Sequence, residues 1–225
     1  MQITNFDGIC RISPMEIEKR SFEIIQEEAG DRLPEGPAGT VMKRVIHTTA
    51  DFDYLETLKS SPGAVEAGLA ALKKGAVIVT DTNMALAGIN KRALAGCSSA
   101  AVCYMADERT AGLAKELGTT RAAVSVDLAA ELEGPVVYAV GNAPTALLRL
   151  ADLIEQNRFR PDLVIGVPVG FVNVVEAKER IMQSGIQYIV AAGRKGGSTV
   201  AAAICNALLY MLEESRRQEA VWRSF

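Results

Sequence analysis

Val136-Val137-Tyr138-Ala139-Val140, followed without a break by Gly141-Asn142-Ala143-Pro144-Thr145, decides the fold. A run of uncharged, mostly apolar residues reads as a strand covered on both faces, and the Gly-Asn-Ala-Pro-Thr sequence reads as a tight turn into a helix. Four further runs repeat the pattern: 76–80, 100–104, 163–167 and 187–191. The segments between them are long enough for helical crossovers, so the runs predict a parallel sheet. The expected architecture is a three-layer α/β/α sandwich around a doubly wound, mainly parallel five-stranded sheet, flavodoxin-like or Rossmann-like.

Before the first run the chain reads as helical, over about residues 13–75, and this part is expected to pack on the sheet. Ser13 can cap a helix that has Pro14 in its first turn, Glu16 completing a capping box and Gly30 ending it. Its inward stripe is expected to hold Ile17, Ser21, Ile24 and Ile25. A turn-rich stretch, 33–39, separates it from a second helix whose apolar stripe is Val41, Met42, Val45, Ile46 and Thr49. Ser61-Pro62-Gly63 opens a third, running to about Lys74. Neither a linker nor an internal repeat divides the chain, which therefore reads as one domain over 1–225. The charged stretch 213–219 reads as the solvated end of a last helix.

Composition narrows the function. Of 225 residues 49% are hydrophobic and only 5% aromatic, and the formal net charge is -3. That balance argues against nucleic acid as a partner, so any anionic ligand must meet a local group of cations and backbone amides. Four cysteines without a C-x-x-C pair, Cys10, Cys97, Cys103 and Cys205, read as reduced thiols of a cytoplasmic protein. The N-terminus lacks the apolar core of a signal peptide, and no run of about 18 apolar residues suggests a membrane span.

In a sheet of this kind ligands bind beyond the carboxyl ends of the strands. The candidate binding residues are therefore on the loops there: Thr82, Asn142, Thr145, Gly170, and the run Gly193-Arg194-Lys195-Gly196-Gly197-Ser198. The last run is the strongest anion site, because two cations stand beside two glycines at the start of a helix. The single histidine, His47, falls roughly opposite the centre of its helix's apolar stripe, between Lys43 and Arg44, and is the natural candidate for proton chemistry near neutral pH. Neither a P-loop nor a G-x-G-x-x-G fingerprint is present, which disfavours ATP and NAD. One histidine excludes a histidine-rich metal site, and its place ahead of the sheet does not suit a serine hydrolase. No metal and no cofactor are expected.

Arg20-Ser21-Phe22, Val45-Ile46-His47, Asp81-Thr82-Asn83-Met84, Thr120-Arg121, the run from Gly141 to Leu147, the run from Gly166 to Val172, and Gly193 to Ser198 span essentially the whole chain. Together these segments resemble the precorrin-8X methylmutase family, including its cobalt-precorrin-8 counterpart, of cobalamin biosynthesis. The resemblance implies a flavodoxin-like fold, a homodimer with sites near the subunit interface, and an isomerase that moves a methyl group from C11 to C12 of a corrin precursor without a methyl donor, giving hydrogenobyrinate or cobyrinate. It also implies that His47 is catalytic and that Ser21 and Arg121 line the substrate site. A corrin precursor is an apolar macrocycle with many carboxylate arms, so it calls for an apolar cleft with clamps. Arg121, Arg194, Lys195 and the glycine-loop amides suit that role, joined by Lys43 and Arg44, while Asn142 and Thr145 can turn polar atoms to the ring. The run from His47 to Asp53 points to the cobalt form of the substrate. A non-catalytic corrinoid carrier and a nucleotide- or S-adenosylmethionine-dependent enzyme on a similar sheet are the alternatives.

Overall fold

The structure, a computed structural model, describes residues 13–222. Cys10 and the N-terminal stretch whose reading bore on a signal peptide lie outside the described residues. In chain order the elements are α1 (Pro14–Ala29), a 3-10 turn (Gly30–Arg32), α2 (Gly36–Thr49), α3 (Tyr54–Thr57), β1 (Leu58–Ser60), α4 (Ala64–Lys73), β2 (Val77–Thr80), α5 (Asn83–Gly88), α6 (Lys91–Gly96) and β3 (Ala100–Val102). A second 3-10 turn (Tyr104–Ala106) leads to α7 (Glu108–Glu116), α8 (Arg121–Ala129), β4 (Val136–Val140), α9 (Pro144–Glu155), β5 (Leu163–Gly166), α10 (Val174–Gln183), β6 (Tyr188–Ala191) and α11 (Ser198–Trp222).

All five expected strands form, and they pair in parallel in the order β3-β2-β4-β5-β6. The sheet nevertheless has six strands, not five. Leu58, Lys59 and Ser60 pair antiparallel with Ala191, Val190 and Ile189, adding β1 at the edge beside β6. Three residues, of which only Leu58 is buried, carry too little periodicity to announce a strand. What makes them one is the open hydrogen-bonding edge of β6.

Side chains alternate between two cores, as the pleat requires. Val137, Ala139, Leu163, Ile165, Ile189 and Ala191 face α2, α4 and α11. Val136, Tyr138, Val140, Val164 and Val190 face α8, α9 and α10. The N-terminal helices belong to the first core, where Val45 and Ile46 of α2 are essentially inaccessible. Each such side chain contributes about 1.5–3 kcal/mol relative to exposure.

The capping box of α1 forms as expected: the Glu16 carboxylate accepts from the Ser13 N–H at 2.8 Å and the Ser13 hydroxyl accepts from the Glu16 N–H at 3.4 Å. Its inward stripe is narrower than the spacing suggests. Ile25 and Ala29 are buried, but Ile17 and Ile24 are 51% and 39% exposed. α1 leans chiefly on α2, so only the Phe22–Ile25–Ala29 side finds cover. Cys97 and Cys205 are buried free thiols and Cys103 is half-buried. Residues 213–219 extend α11 with largely exposed side chains, as the charge run indicates. Among the described residues no helix is long and apolar enough to cross a membrane.

Candidate active site at the carboxyl edge of the sheet

The loops leaving β2 and β4 are locked by a buried carboxylate. Asp81, 1% exposed, accepts the backbone N–H of Gly141 at 2.8 Å and those of Asn142 and Ala143 at 2.7 Å each. Burial pushes the Asp81 carboxyl above its ordinary range, and the three N–H groups pull it back. Beside it the hydroxyls of Thr82 and Ser198 lie 2.8 Å apart, joining the β2 loop to the start of α11. Gly141 permits this approach, since a Cβ there would sit 2.6 Å from the Ser198 Cα.

The loops leaving β5 and β6 are locked in turn. Gly196 passes so close to Val167 that a Cβ would fall 2.1 Å from its carbonyl oxygen, and the Gly197 N–H donates to that same oxygen at 2.8 Å. This corrects part of the expected anion cradle, because the Gly197 amide is already engaged. Gly170 donates its N–H to the Arg194 carbonyl at 3.2 Å. From below, Lys178 of α10, fully buried, donates to the carbonyls of Gly193 at 2.7 Å and Lys195 at 2.9 Å. Burial lowers the Lys178 pKa to about 8.

The expected cations divide into free and engaged. Arg121, exposed at the first position of α8, and Arg194, stacked 5.4 Å from the Phe171 ring, make no ion pair among the described residues. Lys195 is not a free clamp: its ammonium lies 2.7 Å from Asp51 and 2.6 Å from Asp53. Arg44 is likewise engaged, paired with Glu18 and stacked between the rings of Phe22 and Tyr210 at 4.7 and 5.0 Å. Lys43 is half-buried beside a groove of about 660 Å³ between α1 and α2. The Ser21 hydroxyl donates to the Ile17 carbonyl of its own helix at 2.8 Å.

His47 is half-buried in the last turn of α2, its ring 5.1 Å from that of Phe22. Arg44 reaches Tyr210 deep in α11 while Asp51 reaches Lys195 just before it, so α2 runs antiparallel to α11 and delivers His47 towards the carboxyl edge of the sheet. Thr120 caps α8 and donates to the Thr145 hydroxyl at 3.0 Å, bringing Arg121 to that edge from the other layer. Thr82, Asn142, Thr145, Gly170 and residues 194–198 thus share one edge with Arg121. Ser21, Lys43, Arg44 and His47 belong to helices on the opposite face of the sheet from α8, linked to the edge through Lys195. Val169, Phe171 and Val172 stand 48%, 82% and 77% exposed on the same rim, with Met84 at 68% after β2.

Three residues absent from the sequence-based site emerge. Asp81 and Asp51 lay inside quoted runs but gave no sign of their partners. Lys178 did give a signal, since it falls on the helical stripe of Val174, Ala177 and Ile181, where a lysine is out of place on an apolar face. Among the described residues no three His, Cys, Asp or Glu side chains come together as a metal site.

The family model Precorrin-8X methylmutase matches residues 16–211. The chain belongs to the precorrin-8X methylmutase family. It is 46% identical over 208 residues to the cobalt-precorrin-8 methylmutase of Salmonella typhimurium, covering 90% of this chain and 97% of that one. With the cobalt-precorrin-8 methylmutase of Leptospira interrogans it shares 43% over 211 residues, covering 90% and 95%. The crystal structure of the precorrin-8X methylmutase from Thermus thermophilus superimposes with a TM-score of 0.79 at 42% identity, covering 88% of this chain and 98% of that one. The mixed α/β sheet with helices on both faces is thus that of a methylmutase, and the methylmutase family has an isomerase role in cobalamin biosynthesis. These relatives favour the isomerase over a non-catalytic carrier.

Proposed function

We propose that this methylmutase binds cobalt-precorrin-8, or its metal-free counterpart precorrin-8X, at the carboxyl edge and moves the methyl group from C11 to C12. The observation that carries the reading is the exposed apolar rim Val169–Phe171–Val172 beside Arg194, a guanidinium with no carboxylate partner among the described residues. An apolar surface flanked by free cations suits an apolar ring bearing carboxylates. Arg121 is the second clamp, from the opposite layer. Asn142, exposed, and Thr145 supply polar contacts to the ring, and Ser21, Lys43 and Arg44 line the side nearest His47.

In the reaction the bond from C11 to the methyl carbon breaks and the bond to C12 forms, so the atoms of the substrate are conserved. His47 lends a proton to the macrocycle as the methyl group moves and takes it back afterwards, leaving no net proton change. Such proton transfer is worth about 10²–10⁴-fold. The cobalt form is favoured by the names of the Salmonella and Leptospira relatives.

The reading extends to a flavodoxin-like single domain in a cytoplasmic homodimer. The parallel strand order is that of such sheets, α2 and α4 share one core with the sheet, and the free thiols suit a reducing compartment. Ile17 and Ile24, exposed on α1, are apolar surface that a second copy would cover.

The test is the visible spectrum of the corrinoid mixed with wild type and with His47→Ala. Wild type is expected to convert the spectrum, and the variant to bind but convert about 10²–10⁴-fold more slowly. Near-native conversion by the variant removes His47 from the chemistry. Tight binding without conversion by wild type identifies a carrier instead.

A further inference from the structure

Three consecutive carbonyls around Arg194 all have hydrogen-bond donors within the protein. Those of Gly193 and Lys195 accept from the Lys178 ammonium at 2.7 and 2.9 Å, and that of Arg194 accepts from the Gly170 N–H at 3.2 Å. The Gly193 and Lys195 carbonyls therefore point to the buried Lys178, while the Arg194 side chain between them is exposed, over Phe171. Lys178 itself is fully buried and has no carboxylate partner among the described residues. A buried ammonium is a costly way to satisfy two carbonyls, since the neutral amide of a glutamine could donate to both. What the ammonium adds is charge-assisted bonds, stronger than an amide's, that fix the two carbonyls on either side of Arg194.

We propose that Lys178 is a positioning residue for substrate binding: from beneath the loop it draws in the Gly193 and Lys195 carbonyls, so that Arg194 between them meets a carboxylate arm of the macrocycle. The inference rests on the reading of Arg194 as a carboxylate clamp. It assigns Lys178 no contact with substrate and no part in the methyl shift, which belongs to the His47 side.

A double-mutant cycle with Lys178→Met and Arg194→Met tests it, reading the dissociation constant of the corrinoid by spectrophotometric titration and, separately, KM and kcat. Lys178→Met is expected to weaken binding about tenfold with kcat within about twofold of wild type. The double variant should bind no more weakly than Arg194→Met alone, because a residue acting through another is non-additive with it. Lys178→Gln, which keeps two N–H donors but not the charge, should fall between wild type and Lys178→Met. Unchanged binding, or losses that multiply in the double variant, overturns the proposal. So does unfolding of both Lys178 variants in a thermal melt, which would mark a purely structural lysine. A wild type that binds but does not convert the corrinoid sinks the isomerase reading alone, since the cycle is read in binding.

Discussion

The Asp51 carboxylate holds the Lys195 ammonium at 2.7 Å, tying the chain just after the His47 helix to the loop that carries Arg194. Asp53 completes the tie at 2.6 Å. A residue expected to hold substrate thus connects the chain after His47, the proposed proton donor, with the loop of Arg194, the proposed clamp. Lys195→Met should lower kcat about tenfold by loosening the placement of His47, while the chain stays folded. Steady-state kinetics beside a thermal melt checks this, and an effect on KM alone would restore Lys195 as a clamp. The Lys195 ammonium also holds the Asp51 carboxyl below its ordinary value of 3.8. With the folded value under the unfolded one, the pair contributes fully above about pH 4 and its contribution is lost as acid carries the pH down through the folded value. The acid limb of urea unfolding should therefore flatten in Asp51→Asn.

Gly196→Ala should cripple the site. Its Cβ would lie 2.1 Å from the Val167 carbonyl oxygen, a backbone atom that cannot step aside without dragging β5. Displacing the loop removes Arg194 from the rim, so a loss of corrinoid affinity of about tenfold or more is expected, with a thermal melt lowered by the strain. A variant with wild-type affinity would show that the loop does not meet substrate.

Asp81→Asn replaces one acceptor oxygen with an NH₂ group that must face a backbone N–H of the 141–143 turn. The cost should be about 2–4 kcal/mol, from broken charge-assisted bonds and a buried donor left unmatched. Urea unfolding of the variant measures it directly. A change under about 0.5 kcal/mol would mean that the turn holds without the carboxylate.

Arg121→Lys keeps the charge but not the two-pronged geometry. If Arg121 grips a substrate carboxylate bidentately, KM should rise about tenfold with kcat little changed. Equal kinetics in the two proteins would reduce Arg121 to an exposed helix-start residue.

Much of this was readable in the chain. Strands that are buried on both faces must be apolar throughout, which is why β2, β4, β5 and β6 stood out; β3, at the sheet edge and only partly buried, was legible from its apolar run, and the capping box of α1 follows from Ser13, Pro14 and Glu16 alone. β1 was not readable, because three residues are too few for a period and their pairing depends on a free edge far along the chain, where Leu58 meets Ala191. Ile17 and Ile24 have inward spacing yet lie exposed, because spacing defines a face but not what stands opposite it.

The sequence by itself determined the parallel sheet, the glycine loops at its carboxyl edge and the candidate set of cations with one histidine, since these rest on residue type and local spacing. Tertiary structure alone decided which cations remain free among the described residues: Arg44 and Lys195 are engaged by Glu18, Asp51 and Asp53, while Arg121 and Arg194 are exposed without an ion pair there. The physical reason is that a charge's availability is set by the other charges within a few ångströms, and most of those neighbours are brought close by folding rather than by position along the chain.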